Sequence, residues 1–295
     1  MNRTNFYCFI AAVLLTVPVL LLAGNVDPVA STDWLVQNLA NPSIVVLDIR
    51  SARQYTEGHI PGSVNIPLSL LAPSRDGLLF ELPANKDLQN LFGTHGIDRS
   101  STVVVVNRTE TDFSRADATR AAWTCMVAGI ENVAVLDGGY TKWIRENKAV
   151  SKEITVPKSK SFPEIKNRSF VASKAYVLSR LGKSVILDTR VPGDYFGITA
   201  EPGHIEGAVN LPAPWAFKSD GTFKNEKDLR EMAQGVIGQN RSKEIIAYCE
   251  VGGYAATWWF ILRQLLGYRN VSVYDGSMEQ WIMDPGGPVH RYSWN

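Results

Sequence analysis

Cys249 is the residue best placed to do chemistry in this 295-residue chain. It follows the strand-like run Glu-Ile-Ile-Ala-Tyr. The segment Glu250-Val251-Gly252-Gly253-Tyr254-Ala255 comes next, and a strongly apolar helical stretch begins near Ala255. Open α/β sheets place active residues beyond the carboxyl ends of their strands. A strand, a cysteine, a tight loop and a helix start aim several backbone N–H groups into one concavity. The helix N-terminus adds a partial positive charge there. Both effects favour a thiolate, so the thiol pKa is expected to fall. Gly252 and Gly253 let the loop curl without Cβ clashes. The segment AATWWFILRQLLG is apolar nearly all round, so it should be buried and hold the loop rigid, with Trp258 and Trp259 in the core. Tyr254 is expected at the pocket rim. The competing reading is an inert core cysteine; strand end, glycine pair and helix start together argue against it. Cys125 lies mid-helix between Thr124 and Met126 and is expected to be structural.

The elements that would position this cysteine are written twice. Residues 47–67 read LDIRSARQYTEGHIPGSVNIP and residues 187–212 read LDTRVPGDYFGITAEPGHIEGAVNLP. VLDGGYTKW (135–143) matches VYDGSMEQW (273–281) in its Asp, Gly and Trp. Asp48 and Asp137 are 89 residues apart, and Asp188 and Asp275 are 87 apart. Three motifs at matched spacing mark a duplicated domain. Each copy alternates short β-branched runs with helical segments, which implies a parallel α/β sheet flanked by helices. The copies span 31–147 and 169–293. Between them residues 148–168, rich in Lys, Ser and Pro, are expected to form an extended linker.

Composition narrows the function classes. Lys and Arg number 30 against 29 Asp and Glu, so no net positive field recruits nucleic acid. Three cysteines cannot staple a disulfide scaffold. There is no C-x-x-C and the four histidines are scattered singly, so no zinc or haem site has support. Residues 1–24 place one cation, Arg3, before an apolar run from Phe6 to Leu22, with Ala23 and Gly24 after it. This is the layout of a secretory signal peptide, with an uncleaved membrane anchor as the alternative. The mature chain is therefore expected outside the cytoplasm, periplasmic or extracytoplasmic, or anchored and facing outward.

At these residues the sequence resembles the rhodanese family, and more closely its two-domain sulfurtransferases. The resemblance rests on the paired L-D-x-R…G-H-I-x-G-x-V-N-x-P segments, the D-G…W segments and a cysteine-led loop in the second copy only. It covers roughly residues 31–293. The first copy ends its equivalent strand at Asn107, as a domain without a nucleophile would. The resemblance implies two tandem rhodanese-like α/β domains and a two-step sulfur transfer. The Cys249 thiolate takes the outer sulfur of a donor such as thiosulfate or a mercaptopyruvate-like compound, forming a persulfide. A thiophilic acceptor then removes it. Loop N–H groups would stabilise the terminal sulfur. No organic cofactor or metal is implied. The partners implied are small sulfur donors and acceptors, with a protein sulfur acceptor left open.

Relatives that prefer thiosulfate carry cations just after the cysteine and a second Arg four residues after the D-x-R arginine. Here those places hold Glu250, Val251 and Asp194. Relatives that prefer a keto acid usually have a small neutral residue where Glu250 stands. Two like charges about 5 Å apart repel by about 3 kcal/mol at an effective dielectric near 20. The cations are expected instead from the first copy's loop, NRTETDFSRADATR (107–120), through Arg108 and Arg115, with a solvated surface loop as the plain alternative.

Arg50 and Arg190, and His59 and His204, recur in a copy that has no cysteine, so they are expected to serve folding. Asp188 and Arg190 should pin the strand end, with Arg190 keeping a claim on the pocket. Three rivals stand beside sulfur transfer by an enzyme. A phosphatase or arsenate-reductase site would end its loop in an arginine, where Tyr254 and Ala255 stand here. Thiol–disulfide exchange would have only Cys125 as partner. A sulfur-carrying or non-catalytic binding protein is the third.

Overall fold

The structure is a computed structural model that describes residues 26–166, 170–200, 202–283 and 286–292. The proposed signal segment 1–24 lies outside the described residues. Valine-rich runs set the centre of each sheet. Strands β1 (Val29–Ala30), β2 (Ile44–Asp48), β3 (Val64–Asn65), β4 (Thr102–Val106) and β5 (Val133–Leu136) form a parallel sheet in the order β1-β5-β4-β2-β3. Every residue of β4 is buried, as a strand covered on both faces requires.

The second copy repeats this arrangement. Its strands are β6 (Val171–Ala172), β7 (Val185–Asp188), β8 (His204–Ile205), β9 (Val209–Asn210), β10 (Glu244–Tyr248), β11 (Asn270–Tyr274) and β12 (Val289–His290). The parallel sheet runs β6-β11-β10-β7-β9, the same winding as the first, while β8 and β12 form a small antiparallel pair. Tyr248 stands opposite Asp188, so Cys249 leaves the central strand beside the end of β7.

The repeated Asp and Arg lock these strand ends in the same way twice. Arg50 bridges to Asp48 at 2.6 Å and donates to the Gly58 carbonyl at 2.8 Å. Arg190 bridges to Asp188 at 2.7 Å and donates to the Gly203 carbonyl at 2.6 Å. His59 and His204 lie stacked on Tyr55 and Tyr195, and in each the Nδ1 is 2.8 Å from that tyrosine's carbonyl. In both copies these contacts tie the strand end to the turn that carries the histidine.

The two copies share one core. The helices Asp112–Val127 and Gly253–Phe260 pack together along the seam, burying Trp123, Trp258 and Trp259 completely. The second helix continues as a π turn over Ile261–Leu265. Thr119 and Thr257, equivalent residues of the two helices, share a buried 2.9 Å hydrogen bond. The aspartates of the D-G motifs extend the exchange. Asp275 accepts from the Leu82 amide at 2.8 Å, and Asp137 accepts from the Phe223 amide at 2.9 Å, each across the seam. Arg120 of the first copy adds a buried ion pair to Asp275 at 2.5 Å.

The segment 148–166 is extended but does not hang free. Ser151 bridges to His59, Lys160 pairs with Asp98 at 3.0 Å, and Phe162 and Ile165 enter the core. These apolar anchors break no helical or strand period, which is why composition alone reads as a spacer.

Glu81 is buried at the seam, and one of its carboxylate oxygens has no hydrogen-bond partner among the described residues. Burial and the neighbouring Asp275 push its pKa up to about 7, against the pull of Arg120 and Arg75. The folded state thus holds a proton that the unfolded chain releases above its ordinary carboxyl range. The resulting destabilisation grows as pH rises from about 4.5 to about 7 and is full above that. Glu81→Gln should therefore raise stability by about 2 kcal/mol at pH 8 and by little at pH 4. Urea unfolding at the two pH values checks this, and an equal gain at both would contradict it.

Candidate active site

The loop after β10 turns back over its own cysteine. Gly252 occupies the left-handed region at φ +84°, and its N–H donates to Cys249 Sγ at 3.0 Å. The amides of Ala255, Val251 and Tyr254 also favour the anionic sulfur. A Cβ on Gly252 would lie 2.6 Å from an Arg120 nitrogen and 2.7 Å from an Asp275 oxygen, so only glycine fits. The first copy thus supports the loop from beneath.

The second D-G motif holds the loop from the side. Ser277 Oγ accepts from the Cys249 amide at 3.1 Å. The Cys249 and Glu250 carbonyls accept from Met278 at 3.0 Å and Glu279 at 3.1 Å, at the start of the helix Ser277–Met283. Ser277 was not singled out by sequence reasoning; its place in the repeated D-G segment was the available signal.

The net electrostatic effect on the sulfur corrects the expected fall in pKa. Cys249 is only 2% exposed, and burial pushes its thiol up by more than the four amides pull it down. The cradle is present, but burial outweighs it. Cys125 is wholly buried in the helix, with burial raising its thiol to about 12.

Cys249 lines a cleft of about 350 Å³ between the copies. From the second copy Arg190, Asp194, Glu250, Val251, Gly253 and Tyr254 join it. Arg190 is held by Asp188 and reaches Glu250 at 3.3 Å, so its charge is already matched. Glu250 is half exposed, and burial raises its carboxyl above the usual range despite Arg190. Ala255 is fully buried behind the loop.

The first copy supplies the far wall, but not with the expected cations. Arg108 turns to Glu110 at 2.9 Å, and Arg115 turns to Asp112 at 2.8 Å and the Thr109 carbonyl at 2.9 Å. Neither lines the cleft. Their own loop offers nearer carboxylates and carbonyls, which sequence position alone could not rank. The same loop and helix instead present Phe113, Ala116 and Asp117, and the segment before Leu82 presents Phe80. Phe113 stacks on Tyr254 with ring centroids 5.1 Å apart. Burial pushes Asp117 up to about 7, its main relief being the Asn107 amide.

A duplicated parallel α/β fold with one cysteine-led amide loop defines a tandem rhodanese-like protein. The profile of the Rhodanese-like domain matches residues 31–146 and 172–284, and the chain belongs to that family. It is 30% identical over 276 residues to a Mycolicibacterium smegmatis protein named "Putative thiosulfate sulfurtransferase", covering 89% of this chain and 97% of that one. It is also 30% identical over 283 residues to a sulfur carrier protein of Thermus thermophilus, covering 90% and 97%. Among solved structures, an anaerobic ergothioneine biosynthesis enzyme from Chlorobium limicola in complex with trimethyl histidine superimposes with a TM-score of 0.76. It shares 24% identity, over 90% of this chain and 70% of that one, and shows the common fold.

Gly252→Ala should slow sulfur loading of Cys249 by roughly tenfold and destabilise the fold by about 1–3 kcal/mol, because it forces both strain and a clash into the cradle. Loading rates by mass spectrometry, with urea unfolding alongside, check this; unchanged loading would mean the turn is dispensable.

Proposed function

We propose that this chain, a sulfurtransferase by family, carries sulfane sulfur as a persulfide on Cys249. The Cys249 thiolate attacks the outer sulfur of a donor, the donor's bond to that sulfur breaks, and the remainder leaves with the bonding electrons. With thiosulfate the leaving group is sulfite, and charge balances without an external oxidant. An acceptor thiolate or cyanide then attacks the terminal sulfur, and Cys249 departs as a thiolate. The loop amides serve the anionic sulfur at both stages as a preorganised set of donors. The 3.0 Å hydrogen bond from Gly252 to Sγ, made inside an accessible cleft, is the observation that carries this reading.

Residues 1–24 support export, cleaved or anchored, so the work would be done outside the cytoplasm. Burial of Cys249 would shield it there from oxidation. Similarity to a protein named as a sulfur carrier favours a second reading, in which the persulfide is handed to a protein partner. Donor consumption separates the two: an enzyme consumes donor repeatedly with small acceptors, whereas a carrier stops at one sulfur per chain.

Purified protein exposed to thiosulfate, or separately to mercaptopyruvate, should gain the mass of one sulfur atom, and Cys249→Ser should gain none. Because burial holds the thiol up, the loading rate should climb with pH by about tenfold per unit until the thiol is ionised. Absence of any added sulfur with either donor across alkaline pH would remove this function.

A further inference from the structure

The walls of the Cys249 cleft carry a charge pattern that the sulfur-transfer reading does not require. Asp117, Asp194 and Glu250 all line the cavity, and Arg190 is the one cation among its lining residues. Arg190 is neutralised by Asp188 before it meets Glu250 at 3.3 Å. Among the described residues, no Lys or Arg forms an ion pair with Asp117 or Asp194. Among the described residues the Asp194 carboxylate accepts from the Thr199 hydroxyl and the Asp117 carboxylate from the Asn107 side chain at 3.4 Å, both neutral donors.

Aromatic faces stand beside these carboxylates. Phe113 is 71% exposed on the rim yet stacked flat on Tyr254. A phenyl ring left in water at a cleft mouth gains by covering an incoming ligand. Phe80 approaches the loop from the other side, close enough that a Cβ on Gly253 would touch its ring at 3.4 Å. Its backbone is held at φ +60°, a conformation bulky residues avoid. The Leu82–Asp275 hydrogen bond across the seam pins this segment. Carboxylates and aromatic faces around one small cavity form the surroundings that attract an organic cation.

Resting on the persulfide reading, we infer that the sulfur acceptor is a small organic thiol bearing a cationic nitrogen. The ammonium group lies among Phe113, Tyr254, Asp194 and Glu250 while its thiolate meets the terminal sulfur on Cys249. The thiolate attacks that sulfur, the Cys249 sulfur–sulfur bond breaks with its electron pair returning to the Cys249 thiolate, and the product leaves as a zwitterionic persulfide that keeps its ammonium group. A dianionic donor surrenders only its outer sulfur and makes no use of aromatic walls. The walls therefore fit the body of the acceptor.

The test loads full-length protein with sulfur and then compares two acceptors of one shape. These are thiocholine and its uncharged isostere, with a tert-butyl group in place of the trimethylammonium. The readout is the ratio of their kcat/KM values in each variant relative to wild type, in which the thiols' own reactivity cancels. Asp194→Asn should lower the ratio by about three- to tenfold, and Phe113→Ala by about threefold. In wild type the ratio should fall as salt is raised, which needs no variant at all. A ratio that stays within twofold in both variants and across salt overturns the cationic acceptor while leaving persulfide transfer standing. Failure of wild type to acquire sulfur at all takes down both readings.

Discussion

Burial and amide hydrogen bonding act on the Cys249 sulfur in opposite senses, and the architecture around it can be read as the means of holding that balance. A cysteine 2% exposed would ordinarily be an inert core residue, since an anion there loses its hydration. The turn at Gly252 replaces part of that hydration with fixed N–H dipoles that need no rearrangement when charge appears. Because the amides do not fully offset burial, the resting thiol is disfavoured as an anion. A sulfur carried on Cys249, as proposed, would extend the charge outward by one atom, and the cradle would gain more from that state than from the empty one.

That balance depends on a domain with no nucleophile of its own. Arg120 and Asp275 meet beneath Gly252 across the seam, in a pair that is almost wholly removed from solvent. A buried pair of this kind is weak as a source of stability but exacting about geometry, because either partner left alone is costly. Leu82 and Phe223 donate across the seam to the two D-G aspartates in equivalent ways. The Leu82 exchange fixes the segment whose Phe80 lines the Cys249 cleft. Duplication thus supplies a second sheet and also a rigid far side for a pocket that one domain alone would leave open.

The sequence made the fold and the loop around Cys249 readable because both rest on short-range signals. The doubled motifs mark the two sheets, and valine-rich runs such as Thr102–Val106 mark their central strands. Strand, cysteine, paired glycines and apolar helix follow each other directly around Cys249. What stayed hidden depends on contacts between distant segments. Phe80 reaches Gly253 only because the two helices pack across the seam. Arg108 and Arg115 were expected in the cleft because loop length says where a backbone goes; it says nothing of which neighbour a guanidinium chooses. Glu110 and Asp112, a few residues away, outcompeted the pocket. The direction of the Cys249 shift was missed for a related reason. Dipoles are visible in a local pattern, but the degree of burial is a property of the whole fold.

Comparison of the two strand ends shows that the chemistry belongs to the loop more than to the cysteine. Asn107 occupies the place of Cys249, and the Tyr140 amide donates to its carbonyl at 2.8 Å as Met278 does to that of Cys249. The loop that follows Asn107 is longer, and three of its amides are already engaged. Thr109 donates to Thr141 Oγ1 at 3.0 Å, while Thr111 and Ser114 exchange hydrogen bonds in a capping box. A sulfur placed at Asn107 would therefore find these three amides already taken. It would also face the raised carboxyl of Asp117. One substitution would restore the cysteine in the first copy without freeing those donors, because they hold the loop that carries Phe113 and Asp117 to the other site's wall.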